Sequence, residues 1–239
     1  MKTLVLSSSA LGEKERASLS SIGFEVLLMP PYNRLQKGVS SHPDMLLFLN
    51  ESSYVTTKEY YSIAKNVFDK INSFGYTPIL TNEIPEEKYP LDILFNALIL
   101  NNKIFCFEKS LSNEIKKIAA KKGFEIINVR QGYTKCSVCK VSENAIITAD
   151  TGIADVATKH GIDVLKICDG HVGIDGYNTG FIGGASGEFE EVVYFCGNVL
   201  SHPDGEKIED FCKKHNKKCV SLSNEPLFDV GTLFFLRKV

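Results

Sequence analysis

The chain has 239 residues, 44% hydrophobic and 23% charged, with a formal net charge of −2. That is ordinary globular composition; the near-neutral charge argues against nucleic-acid or membrane-surface partners, and no apolar stretch approaches bilayer-spanning length. Seven irregularly spaced cysteines do not make a disulfide framework, and the apolar run within Met1 to Ala10 is too brief for a signal-peptide core, so the expected location is the cytoplasm.

In chain order, a lone strand at Thr3 to Leu6 leads into a helix opened by Ser9, with Ala17, Leu19 and Ile22 as apolar markers. Gly23-Phe24-Glu25-Val26-Leu27 then ends that helix and starts a second strand. Leu46 to Leu49, a turn at Asn50 to Ser53, and Tyr54-Val55 read as a hairpin. Thr57 caps the next helix, whose Tyr60, Ile63, Ala64, Val67 and Ile71 share one face. Gly75 to Ile79 closes that unit. A second hairpin runs from Ala97 to Cys106 around Asn101-Asn102, followed by a helix capped by Ser112 and the strand Gly123 to Ile127. A third joins Cys136–Val141 to Ala145–Ile147, followed by a short helix from Asp150 or Thr151 and the strand Gly161 to Leu165. In the fourth, a glycine-rich loop from Gly183 to Gly187 replaces the tight turn before Val192 to Phe195. Asp204 caps its helix, and Lys217 to Leu222 is its strand. The last strand is Leu233 to Leu236.

The unit is strand, strand, helix, strand, repeating every forty to fifty-five residues or roughly so, a spacing typical of solenoids and propellers. The half-unit at the start and the lone strand at the end complete one copy together. The expected architecture is therefore an α/β, pseudo-symmetric ring of five ββαβ units over residues 1–239, one domain, closed by pairing of the N- and C-terminal segments.

Five such units in a closed ring resemble the pentein fold, shared by guanidino-group-modifying enzymes and the ribosome anti-association factor of eukaryotes and archaea. Ser41-His42-Pro43-Asp44-Met45 and Gly132-Tyr133-Thr134-Lys135-Cys136-Ser137 are also similar to segments of an uncharacterised bacterial family assigned to this fold. In such a ring the first strand of each unit lines a central channel. Superposing the hairpin turns sets Asp44 opposite Cys136, with Asp229 at about the same level. The plainer reading is that these groups cap the channel mouth and bind water.

The resemblance implies more. Guanidine-attacking penteins use a His-x-Asp or related element, a nucleophilic cysteine and further acidic groups. His42-Pro43-Asp44 is similar to that element, and Cys136 is the best-placed nucleophile. A thiolate suits a poor electrophile such as a guanidinium carbon, carboxylates at Asp44 and Asp229 suit the planar cation, and the histidine can move protons. Lys135 can lower the Cys136 pKa, and His171 is an alternative base in a loop entering the fourth unit. Gly183 and Gly184 let the backbone bend close to a ligand or another strand.

The chain also departs from the pattern. Those families place their cysteine in the last unit, and Asp229 to Val239 has none. Arg34, Lys37 and Lys135 flank the site and suit a carboxylate-bearing ligand. Cys136-Ser137-Val138-Cys139 lacks the further ligands of a zinc site, and strand parity puts its two cysteines on opposite faces. No cofactor or metal is implied. The expected partner is a small molecule at the channel mouth, the expected activity cysteine-dependent hydrolysis or transfer on a guanidino or amidino compound, and the alternative a non-catalytic binding or assembly protein. Oligomeric state is left open.

Overall fold

The computed structural model describes residues 3–239. Its elements are β1 (Leu4–Ser8), α1 (Glu13–Ile22), β2 (Glu25–Met29), α2 (Pro43–Leu46), β3 (Phe48–Asn50), β4 (Ser53–Thr57), α3 (Lys58–Ile63), α4 (Lys65–Ser73) and β5 (Thr77–Thr81). They continue with β6 (Leu98–Leu100), β7 (Lys103–Cys106), α5 (Asn113–Lys122), β8 (Glu125–Asn128), β9 (Val138–Ser142), β10 (Ala145–Thr148), α6 (Thr151–Lys159) and β11 (Asp163–Lys166). The last are β12 (Ser186–Phe189), β13 (Val192–Phe195), α7 (Gly205–Lys214), β14 (Lys218–Ser221) and β15 (Phe234–Leu236).

The strands form five three-stranded sheets. In each, the middle strand pairs antiparallel with one neighbour, its hairpin partner in four of the five sheets, and parallel with the strand that returns after a helix. The middle strands are buried almost throughout, as expected for a strand paired on both sides and covered on both faces. The fifth sheet is built from both ends of the chain, because β15 pairs with β1 through Leu4 to Leu236 and Leu6 to Phe234.

Five apolar clusters show how the sheets are joined. Each helix packs on its own sheet and on the sheet before it. Ile208, Phe211 and Cys212 of α7 meet Val193 and Phe195 of β13 together with Cys139, Val141 and Ile147 of the preceding sheet. α6 bridges β10 to β6 and β7, and α5 bridges β7 to β3 and β4. α3 and α4 join β4 to Leu4, Leu6 and Leu236, and Leu19 of α1 joins β1 to Tyr194 and Leu222. The sequence of contacts returns to its starting sheet.

Local chemistry sets most boundaries as expected. Thr57 Oγ1 accepts from Tyr60 N–H, Ser112 Oγ from Glu114 N–H and Asp150 Oδ1 from Ile153 N–H, each satisfying a free amide of the first turn. Gly23 and Gly123 end α1 and α5 in the left-handed conformation, at φ +104° and +75°. Four details differ. α1 starts after Gly12 rather than Ser9, because Ser8 Oγ accepts Ala10 N–H and holds a turn there. Asp204 precedes α7 without capping it through its side chain, since its carboxylate accepts from Cys168 N–H and Lys207. The helix after Thr57 breaks at Ala64 into α3 and α4. His42-Pro43-Asp44 opens the one-turn helix α2, with Pro43 in the first turn where its missing N–H costs nothing.

Candidate active site at the head of the channel

The first strands of all five units, β3, β6, β9, β12 and β15, line a central channel of about 250 Å³. Beyond its inner end the chain collects a cluster of polar side chains. His42, Asp44, Asn96, Cys136 and Asp229 are each at most 2% exposed.

The cluster is assembled from four segments. Asp44 N–H donates to Gly231 O at 3.3 Å, and Asp44 Oδ2 accepts from Thr232 Oγ1 at 2.8 Å, so α2 is tied to the segment before β15. Thr232 adopts φ +72°, a genuine outlier for a β-branched residue, held in place by its contacts to Asp44 and to Gly183 O. Asn96 ties the next two segments together. Its Oδ1 accepts from the Lys135 and Cys136 amides at 2.7 and 3.4 Å, while Nδ2 lies 3.3 Å from Asp44 O and 3.0 Å from Cys136 Sγ. Asp229 accepts from Gly231 N–H and Phe181 N–H, both at 2.9 Å, and its Oδ1 stands 3.7 Å from His42 Nδ1.

Electrostatics follow from burial. Desolvation pushes the Asp44 carboxyl up, as does Asp229, against the opposing influence of His42. Asp229 is raised from 3.8 to about 6 by burial, with the Gly231 and Phe181 amides pulling the other way. His42 is lowered by burial, against the opposing pull of Asp44, and neither ring nitrogen has a hydrogen-bond partner. The Cys136 thiol is pushed well up by burial and by the two carboxylates, only partly offset by Asn96. The lowering expected from Lys135 is outweighed: burial, with the two carboxylates adding to it, governs the thiol, and burial lowers Lys135 itself.

Cys136 sits in a turn before β9 rather than in the strand. It belongs to the apolar cluster of Met45 and Tyr32, whereas Cys139 joins the cluster around α7. Gly183 and Gly184 meet protein. A Cβ on Gly184 would lie 1.9 Å from Asp229 Oδ1, and one on Gly183 would lie 2.3 Å from Val138 O. His171 does not join the buried cluster: it is exposed, its ring sits 5.3 Å from His202, and it lines another cavity with Cys168, Asp150, Ser137 and Phe181. Arg34 is held by Glu59 through both carboxylate oxygens. Among the described residues no group of three or more His, Cys, Asp or Glu side chains is placed to hold a metal ion.

Two residues at the cluster were not read from the sequence, Asn96 and Thr232. Asn96 left a faint signal as the polar interruption of the run from Ile93 to Leu100. Thr232 left none, because its placement depends on a backbone conformation that threonine does not favour. Over the cluster lies an aromatic cover. Tyr133 and Phe181 pack on the same apolar cluster as Cys136, their rings 6.0 Å apart, Tyr89 lies 5.7 Å from Tyr133, and Tyr133 Oη donates to Asp92 Oδ2 at 2.6 Å.

Residues 6–234 match the model of DUF6873, a family of unknown function. The chain belongs to that family. No curated protein matches this DUF6873 chain in sequence. Solved structures do share its fold. It is similar to DDAH from Pseudomonas aeruginosa, a cysteine-to-serine mutant complexed with citrulline, at 9% identity and TM-score 0.59 over 93% of this chain and 92% of that one. It is similar to agmatine deiminase of C. jejuni at 11% identity and TM-score 0.58, over 100% and 93% of the two chains. An amidinotransferase of the saxitoxin pathway from Microseira wollei matches at 11% identity and TM-score 0.60, over 96% and 81%. The fold is the pentein fold, five ββαβ units with helices, as the repeat implied. Among the described residues no helix is long and apolar enough to cross a membrane.

Proposed function

We propose that this chain carries out cysteine-dependent hydrolysis or transfer on a small guanidino or amidino compound of amino-acid-like size. One observation carries the reading: Asn96 ties the Cys136 thiol to the residue bearing the Asp44 carboxylate, and each of those groups shifts the other's ionisation. A cation set against Asp44 offsets a charge that adds to burial in keeping Cys136 protonated, so substrate helps to activate its own nucleophile. The thiolate then attacks the amidino carbon and the C–N bond breaks. His42 returns the thiol proton to the departing amine and helps water, or an acceptor amine, to release the carbon from sulfur. Asp229, held by two backbone amides, fixes the loop at Phe181 and faces His42 Nδ1 at 3.7 Å, where it can stabilise the protonated ring.

A second reading is favoured by the burial of Cys136 under its aromatic cover. A thiol pushed well above its usual range and 2% exposed also suits a non-catalytic binding protein. Paired electrophiles separate the two. Chloroacetamidine carries the cation and chloroacetamide does not. The expected outcome is alkylation of Cys136 by the amidine at least about tenfold faster at pH 7, a preference lost in Asp44→Asn, as a thiol pKa lowered by about one unit requires. Equal, slow labelling by both reagents, read by mass spectrometry, refutes the catalytic reading.

A further inference from the structure

The channel reaches the polar cluster at a floor made by Lys135, Thr232 and Asp44. These three form a chain: Lys135 Nζ donates to Thr232 Oγ1 at 3.4 Å, and Thr232 Oγ1 donates to Asp44 Oδ2 at 2.8 Å. Both ends of the chain have unused capacity. Lys135 has three protons to donate, hydrogen-bonds Thr232, and lies 5.7 Å from the Phe234 ring centroid. Asp44 Oδ1 is buried without a hydrogen-bond partner. The other channel charges are already matched, Lys140 by Glu143 and Glu188 by Lys217.

The bore above that floor is walled by Phe48, Phe95, Leu98, Leu233 and Phe234 together with Ser186 and the paired side chains of Lys140 and Glu188. Its mouth lies at the hairpin end of the ring. A neighbouring cavity shares Leu49, Ile99, Lys140 and Phe235 with the channel and is lined by the hairpin residues Asn50, Asn101 and Glu143. The aromatic cover of Tyr133 and Phe181 is on the cluster side, away from this mouth. The channel is therefore a way to Lys135 and Asp44 that does not pass the cover.

We propose that the channel is a binding site for a small neutral molecule with a primary-amide head and an unbranched apolar tail, entering from the hairpin end. The head supplies what each end of the floor lacks. Its carbonyl oxygen accepts from the Lys135 ammonium, and its N–H donates to Asp44. Both are charge-assisted hydrogen bonds, and the tail lies against the phenylalanine and leucine walls. A carboxylate head faces Asp44 with like charge, and an alkylammonium or alkylguanidinium head that, unlike an amino-acid-like cation, brings no carboxylate of its own for Lys135 faces that lysine with like charge. Either one adds an unmatched charge to a bore whose other charges are already paired, which is costly. This site needs no reaction at Cys136.

Calorimetric titration of the full chain with hexanamide, hexanoate, hexylamine and hexylguanidine, which share one tail, tests it. Hexanamide should bind at least about tenfold more tightly than the three charged ligands, the scale set by leaving one buried hydrogen-bonding group unsatisfied. Ile99→Trp and Leu49→Trp narrow the mouth from different strands. Each should weaken hexanamide by about tenfold or more, and the measurement uses whichever variant keeps the native circular dichroism spectrum. Lys135→Met should remove the preference for the amide. No binding of hexanamide, equal affinity for all four heads, tighter binding of a charged head, or binding undiminished by a narrowed mouth each overturns the proposal. Cys136 alkylation by chloroacetamidine is read separately, so failure of the proposed chemistry and failure of this site give different results.

Discussion

Burial raises the Asp229 carboxyl from 3.8 to about 6, and that shift has a consequence for stability. Between about pH 4 and 6 the native state holds a proton that the unfolded chain has released, so stability falls as pH rises through that window. A shift of that size is worth about 3 kcal/mol at most. Glu83 and Asp163 act in the opposite sense, because hydrogen bonds and nearby lysines lower them despite the burial that opposes those partners. Their contribution is lost only as pH falls below about 4. Asp229→Asn should therefore flatten the melting-temperature profile between about pH 4 and 6 and leave the acid limb unchanged. The slope that remains in the window reports the other shifted groups, Asp44 and Asp92, which burial raises, and His42 and His202, which burial lowers and which act in the opposite sense. An unaltered slope in the variant removes Asp229 from this role. His42, Asp44, Cys136 and Asp229 were legible as polar or reactive residues interrupting apolar surroundings. Asn96 and Thr232 were not, since an asparagine before a strand and a threonine after a glycine are common in loops of every kind.

At the scale of elements, the glycine segment before β12 shows how the site is positioned. Gly184 lets Asp229 approach so closely that a Cβ there would lie 1.9 Å from its carboxylate, and Gly184 N–H donates to Cys136 O. Gly184→Ala should destabilise the fold by about 1–3 kcal/mol, the usual cost of overfilling a buried site. It should also weaken the pH slope assigned to Asp229, because the carboxylate is displaced. Gly123→Ala is the control. No atom stands within 4 Å of the added Cβ, so only the left-handed backbone is penalised, by roughly 1–2 kcal/mol, and the pH slope stays. Thermal denaturation of both variants at pH 4 and 7 checks this. The hairpins and caps were readable because turn and capping residues act over two to four positions. The one-turn helix α2 was not, because Leu46 and Leu47 read equally well as the start of a strand, and it is Asp44 N–H to Gly231 O that holds the turn at the channel head.

At the scale of the molecule, closure rests on a three-residue strand. Leu236 is fully buried, pairs with Leu4, and lies in the cluster that joins the fifth sheet to Tyr60 and Phe68 of the first unit's helices. Leu236→Ala should cost about 2–5 kcal/mol, the range for truncating a buried leucine. Urea unfolding should show a lower midpoint with an unchanged slope if the ring still unfolds as a whole. A second transition, or a reduced slope, shows that the fifth sheet opens independently. The channel depends on the same closure, because Phe234 and Phe235 of β15 form part of its wall.

By itself, the sequence determined the repeat, the order of strands and helices within each unit, and the need for the two chain ends to share one sheet. These follow from hydrophobic period, capping residues and turn residues, all of which act between near neighbours. Only the tertiary structure decided what the polar residues do. His171 and Cys136 look equally available in the chain, yet one is exposed beside His202 and the other is buried beside Asp44. Lys135 directly precedes Cys136 in the chain but directs its ammonium into the channel, to Thr232. Those outcomes depend on which segments of different units meet around the ring axis, and on the desolvation that follows, neither of which acts along the chain.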